Sequence, residues 1–339
     1  MSENKNEDAY LYLVERFNQH KLNHLIKHTD VFRSQMTKCV DEDYNPFAIA
    51  IKYLAKSRNG LIKTKYKQNQ SFGRFRASGA LSLQCLQREI RHTIASEHYT
   101  DIDIVNAHPV ILSFLCGERG IPCKYLNKYI NNRDTFLADL GILRDQAKTL
   151  VLSIVNGGKS DADALEDPPE WLGDLKKEMK NIHLQFAKDP AFKLHKKKRV
   201  ENNNDYNNEA SYMNTLLCDF ENKILQSIYK GLGSPKDCVL CFDGLMIPKE
   251  TQFDLSKLEA VVEKTLGIEI SLAIKEMTDG FELGELGIPN VEPYVDIDIS
   301  SELISEDDAY VEFKKMGEEC ETINGGFMRI EGAYLRLYE

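Results

Sequence analysis

The chain is predicted to fold as an α+β protein, and three observations lead there. Helical periodicity dominates the residues between about 125 and 230. Strand-like runs are few and short. One of them, Cys238 to Pro248, is apolar on both sides of an Asp243-Gly244 pair and reads as a central hairpin. With 339 residues, 42% of them hydrophobic and 28% charged, the chain can fill one large core or two modest ones.

From the N terminus, residues 8–58 read as two helices. The first carries Leu11, Leu13, Val14, Phe17, Leu22, Leu25 and Ile26; the second runs from Phe47 to Ile51 with Tyr53 and Leu54. Asn59-Gly60 then makes a turn into a strand from Leu61 to Tyr66. Ala80 to Ile94 is helical in part, and Tyr99 to Val105 is a short strand. Pro109 belongs in the first turn of the helix that follows, because its fixed φ and missing N–H suit that position. Residues 125–156 read as helical up to Asn156-Gly157-Gly158, a glycine stop. Helices at about 169–188 and 208–230 follow, then the hairpin with its turn at Asp243-Gly244. A helix from Leu255 to Leu266 and a strand from Ile268 to Ile274 close this part. Beyond about residue 283 an acidic, proline-containing connector is expected.

Charge is distributed unevenly. The formal net charge is −10, yet Glu282 to Glu321 holds thirteen acidic residues against two lysines, so the remainder is nearly neutral. Within that remainder Lys56 to Arg76 has seven basic residues and no acidic one, and Lys193 to Arg199 forms a second basic cluster. A neutral body with concentrated positive patches suits a polyanionic ligand. No apolar run reaches the ~20 residues of a membrane-spanning helix, and Met1 to Tyr10 is polar and acidic, unlike a secretory signal. Eight cysteines without framework spacing fit a reducing compartment. An intracellular, soluble protein that does not enter membranes is expected.

Four segments carry candidate chemistry. Asp101 and Asp103 alternate with Ile102 and Ile104, so both carboxylates lie on one strand face; hard oxygen ligands on a rigid strand are what Mg²⁺ requires. Asp243 in the hairpin can meet Asp103 from an adjacent strand, and two such acids can bracket a pair of metal ions in phosphoryl transfer. Arg144 and Lys148, four residues apart, share a helix face on which two cations can neutralise a triphosphate. In the basic stretch that includes Lys63 and Lys65, Arg74 and Arg76 interleave with Phe72 and Phe75, and Leu83-Gln84 follows; this mixture suits a nucleic-acid backbone. Each segment alone has an ordinary structural explanation: solvated acids, a common turn, a charged helix, a basic loop.

Their order is more specific. Gly73-Arg74 with Leu83-Gln84, then Asp103 at a strand end, then Arg144-x-x-x-Lys148, then the Asp243 hairpin resembles the palm and fingers of family A DNA polymerases and the related single-subunit phage-type RNA polymerases. The run from Asp101 to Pro109, with Phe242-Asp243-Gly244, is most similar to their divergent transposon-and-virus branch, often fused to a superfamily-3-type helicase. The resemblance covers roughly residues 60–280. It implies a small antiparallel palm sheet with helical fingers at about 125–200 inside a core spanning 59–283. A reduced, helical, thumb-like region at 1–58 would precede the core. An acidic linker at 284–339 would lead to a further region.

The resemblance further implies that Asp103 and Asp243 hold two Mg²⁺ ions, Mn²⁺ being an alternative, with Asp101 as an additional ligand. Arg144 and Lys148 would hold the nucleotide phosphates. His108, five residues after Asp103, would face the sugar. Arg74 and Gln84 would touch primer or template. The implied partners are a DNA primer–template, nucleoside triphosphates and a helicase, fused or separate. Phe242 and Gly244 replace the family's usual histidine and glutamate, and Leu152 and Asn156 stand where its aromatic fingers residues would be. Two rivals remain open: a non-catalytic replisome docking or DNA-binding module with a degraded palm, and a two-metal nuclease using the same acids.

Overall fold

The structure, a computed structural model, describes residues 9–36, 45–69, 73–158, 165, 167–202 and 207–283. The predicted acidic connector lies outside the described residues.

Period-two alternation decides the first element. β1 (Ala9–Arg16) turns Tyr10 and Tyr12 to solvent and buries Leu13 and Glu15. The helix expected to begin here is therefore a strand, consistent with the preference of tyrosine and valine for a pleated surface. Helix α1 (Gln19–Lys27) begins only after Asn18, whose side chain accepts from Lys21 N at 2.9 Å. α2 (Thr29–Arg33) and α3 (Phe47–Ala55) follow. β2 (Leu61–Gln68) then pairs antiparallel with the whole of β1, from Ala9 opposite Gln68 to Arg16 opposite Leu61. A short β3 (Arg76–Ala77) completes a three-stranded sheet in the order β1-β2-β3. The N-terminal region is thus not wholly helical, and an eight-residue ladder crosses its expected boundary at residue 58.

A buried carboxylate ties this sheet to the next segment. Glu15 accepts hydrogen bonds from Ser82 Oγ at 2.6 Å, Leu83 N at 2.7 Å, Tyr66 OH at 2.7 Å and Tyr53 OH at 3.0 Å. Burial raises its pKa against the lowering effect of these donors. Glu15→Ala leaves the donors buried and unpaired, so a loss of about 3 kcal/mol is expected in denaturant unfolding, with Glu15→Gln milder.

Helix α4 (Arg88–Ala95) leads into β4 (Tyr99–Ile104), and α5 (Ala107–Glu118) follows with Pro109 in its first turn. Next come α6 (Lys124–Asn131), α7 (Arg133–Asp139), α8 (Arg144–Val155), α9 (Glu170–Phe186), α10 (Pro190–Glu201) and α11 (Asn208–Gly231). The basic cluster Lys193 to Arg199 lies on α10, where no residue is buried. The chain then forms β5 (Val239–Cys241), β6 (Gly244–Pro248), α12 (Leu255–Leu266) and β7 (Leu272–Lys275). The second sheet is antiparallel, in the order β5-β6-β4-β7. Mixed helices and small antiparallel sheets make the described residues an α+β fold.

The pleat of this second sheet positions the site. Ile102, Ile104, Leu240, Leu245, Ile247 and Leu272 face a core shared with α5, α8, α9 and α11. On the opposite face Tyr99, Val239 and Met246 join a second core with α1, α3 and α4. Asp101 and Asp103 lie on that second face, farther along β4, where apolar cover gives way to polar groups.

Candidate active site

The hairpin turns one residue earlier than the Asp-Gly pair predicts. Its two turn residues are Phe242 and Asp243, and Gly244 already belongs to β6, opposite Asp103. Phe242 takes φ 63°, the left-handed region that costs a side chain roughly 1–2 kcal/mol. The reason for the shift lies at Gly244. A Cβ there would overlap Asp103 Oδ1 and come within 3.0 Å of Ile102 O. Glycine is therefore needed beside the carboxylate rather than in the turn. Gly244→Ala is expected to displace Asp103 and to cost about 1–3 kcal/mol in thermal unfolding.

Three carboxylates converge here, two from β4 and one from the β5–β6 turn. Asp103 faces Gly244, and Ile104 N donates to Asp243 O at 3.0 Å, which fixes the turn against the end of β4. Asp101 is 5% exposed and its Oδ1 has no hydrogen-bond partner. Burial and the neighbouring Asp103 push its pKa to about 6. Burial, then Asp103 and Glu221, also raise Asp243. Lys275 Nζ on β7 reaches Asp103 Oδ2 at 2.6 Å. Mutually repelling acids, one with an orphaned buried oxygen, form a hard-oxygen donor set of the kind Mg²⁺ or Mn²⁺ takes. Among the described residues no three His, Cys, Asp or Glu side chains are gathered tightly enough to hold an ion. A nucleotidyl-transfer site does not need such a cage, because substrate phosphates and water complete the coordination.

Beside the acids, a buried network holds Arg74. Helix α11 presents Asp219, Glu221 and Asn222, all buried, to the Gly73-Arg74-Phe75 segment. Asp219 Oδ1 accepts from Gly73 N at 2.9 Å, and Asn222 Oδ1 from Phe75 N at 3.4 Å. Between them Arg74 makes a two-pronged pair with Glu221, through Nε at 2.5 Å and Nη2 at 2.6 Å. The guanidinium also lies 5.2 Å from the centre of the Phe242 ring, which places it next to Asp243. Glu221 further accepts from His108 Nε2 at 3.1 Å, and His108 Nδ1 donates to Asn156 Oδ1 at 2.9 Å. Burial opposes the imidazolium, but hydrogen bonds to Cys218, Glu221 and Asn156 outweigh it and raise His108 to about 9. Glu221 is held below the usual carboxylate range: burial works against this, and His108 and Arg74 overcome it.

Of the residues singled out from sequence, Asp101, Asp103, Asp243 and Arg74 come together. His108 does too, but at 8% exposed it serves the network rather than an open sugar pocket. The amide of Gln84 is buried, accepts from Ala77 N and donates to Phe75 O and Leu240 O, so it braces the loop against β5. Arg144 and Lys148 do not touch the acids; they pair with Asp134 and Asp145. They stand on the stripe Arg144, Lys148, Leu152, Asn156, whose last member binds His108. Lys148 is therefore about 12 Å and Arg144 about 18 Å along the helix axis from the network. The first turn of α8 faces α4 across a cavity lined by Asp145, Arg88, Glu89 and Asp279. Lys63, Lys65 and Arg76 are exposed on the first sheet.

Glu221, Asn156 and Lys275 were not assigned roles from sequence. Glu221 had a signal: it falls in the apolar stripe Leu217, Ile224, Leu225, Ile228, where a lone acid must have a buried partner. Lys275 had none, since only the β4–β7 pairing brings it to Asp103.

No protein-family profile matches the chain. It is 30% identical over 260 residues, 70% of its own length, to a Sputnik virophage protein named "Putative helicase V13". The aligned part is 32% of that protein, so the chain spans about a third of its viral relative. Among the described residues no helix is long and apolar enough to cross a membrane.

Proposed function

We propose that this chain is the nucleotide-incorporating core of a template-directed nucleic-acid polymerase, a DNA polymerase or primase of viral replication. The observation that supports this most is the placement of Asp243, in the β5–β6 turn, against the end of β4 that carries Asp103, with Gly244 leaving room for the carboxylate and Arg74 held alongside by Glu221. In this reading a primer 3′-hydroxyl attacks the nucleotide α-phosphate, forming the P–O bond as pyrophosphate leaves. Bound Mg²⁺ would supply a Lewis acid for the attacking and leaving oxygens; Asp103 and Asp243 would hold it, with Asp101 beside them. Arg74 contributes fixed positive charge next to Asp243. Lys148 and Arg144 supply further cations along α8 for the phosphate tail.

The name of the viral relative points to a helicase within the same protein. Gly157-Gly158-Lys159-Ser160 resembles the end of a phosphate-binding P-loop, but it follows helix α8, whereas a P-loop leads from a strand into a helix. Helicase chemistry would therefore reside outside the third of the relative that this chain spans, as in a polymerase–helicase fusion.

The nucleotide site is tested by affinity labelling. Pyridoxal 5′-phosphate, an aldehyde that carries its own phosphate, fixed by borohydride reduction of the imine, is expected to label Lys148. Nucleoside triphosphate should compete, and Lys148→Met should abolish that label. Labelling of other lysines only, without competition, would favour the nuclease reading.

A further inference from the structure

We infer that the solvent face of the β1-β2-β3 sheet is a track for single-stranded nucleic acid leading to the hairpin that carries Asp243. Directly paired residues share a face, so this face carries Tyr10, Tyr12, Val14 and Arg16 from β1, Lys63, Lys65 and Lys67 from β2, and Arg76 from β3. Tyr10 and Tyr12 are 48% and 49% exposed, unusually open for aromatic side chains. Lys65 Nζ lies 4.3 Å from the centre of the Tyr10 ring, and Lys63 Nζ lies 5.7 Å from that of Tyr12. No acidic side chain stands on this face of the three strands.

Asp237 and Glu250 pair with Arg16 at one end of the face; elsewhere its aromatic rings interleaved with lysines and Arg76 match a strand with unpaired bases, because rings stack on bases while cationic groups neutralise phosphates. A duplex shows only its phosphates to such a face and would leave the rings unused. A protein partner would have to be acidic and aromatic-binding at once. The track is also continuous with the candidate active site. Tyr10, Lys67 and Arg76 form one cross-strand row, and the Arg76 guanidinium lies 5.8 Å from the centre of the Phe242 ring, the residue before Asp243.

Binding to this face does not depend on the polymerase reading; only its use as a template path does. The test is fluorescence anisotropy with a labelled 20-nucleotide single strand and a duplex of equal length, in EDTA, on the full chain. Tyr10→Ala/Tyr12→Ala is expected to weaken single-strand binding at least about 30-fold, from stacking lost at two bases. Duplex binding should change less than about threefold. Tyr10→Phe/Tyr12→Phe should restore the single-strand affinity to within about threefold. Lys63→Ala/Lys65→Ala should flatten the plot of log affinity against log salt by about 1.4. Binding is measured in EDTA, without the metal ions the proposed chemistry needs, which separates this track from that chemistry. Unchanged single-strand affinity in the double tyrosine-to-alanine variant, or equal losses for strand and duplex, would overturn the inference. Should that variant unfold, photocrosslinking of the wild type to a 5-bromodeoxyuridine strand decides: adducts on residues 9–16 support the track, and their absence overturns it.

Discussion

Replacing Asp103 or Asp243 by asparagine is expected to lower template-directed nucleotide incorporation at least about 10³-fold, roughly 4 kcal/mol in the barrier, without lowering the thermal unfolding temperature. Both halves follow from the same crowding of acids. Asp101 is buried beside Asp103, and its pKa rises from 3.8 to about 6. A carboxyl whose folded pKa is raised holds its proton more tightly when folded. Its contribution to stability is therefore full below the unfolded value and declines as pH rises from about 4 to about 6. At neutral pH the ionised acids repel, so a neutral side chain at 103 relieves strain on Asp101 and Asp243. Lys275 loses its partner, but it is half-exposed and water replaces the contact. Activity lost with stability kept or gained marks residues retained for chemistry. Unfolding curves at pH 7.5 beside incorporation rates check both halves.

The largest loss of stability is expected from Glu221→Ala. Glu221 is 1% exposed and faces two cations, Arg74 and His108. Removing it leaves both charges buried without a counter-ion, a loss of about 3–5 kcal/mol, on the order of 10 °C in unfolding temperature. Arg74→Ala should cost less, because Glu221 keeps His108. A pH signature separates this network from generic packing. The pKa of His108 is raised from 6.5 to about 9, so its stabilisation is full below 6.5 and is lost as pH climbs through 9. Wild-type stability should fall across that window, and Glu221→Gln should flatten the fall. An equal pH slope in both proteins would remove Glu221 as the partner that holds the proton on His108.

What could be read from sequence was what local pattern encodes. Asp101 and Asp103 alternate with isoleucines, which fixed their shared face, and α12 was bounded at Leu255 and Leu266 as the structure has it. Residues 9–16 are ambiguous in sequence because Leu11, Leu13, Val14 and Phe17 satisfy a helical spacing as well as an alternating one. The ladder to residues 61–68 decides between them, and it is a long-range fact. The most common turn chemistry favours a hairpin turn at Asp243-Gly244. The competing demand, space for the Asp103 carboxylate on the next strand, appears only once β4 and β6 are paired. Gln84 illustrates the limit for sites: a basic, aromatic stretch gives no sign that its amide is buried and braces Phe75 O and Leu240 O. Arg144 and Lys148 share a face as spacing required, but spacing could not give their distance from the acids.

Extension of a labelled primer–template in Mg²⁺, with dNTPs or NTPs and a primer-free control, tests the central claim most directly. The account predicts template-dependent extension by the wild type, its loss in both Asp103→Asn and Asp243→Asn, and its survival in Gln84→Glu at any level at which that variant folds. A wild type that binds the primer–template and extends nothing with either nucleotide set would contradict it, and would make the chain a docking or DNA-binding module instead.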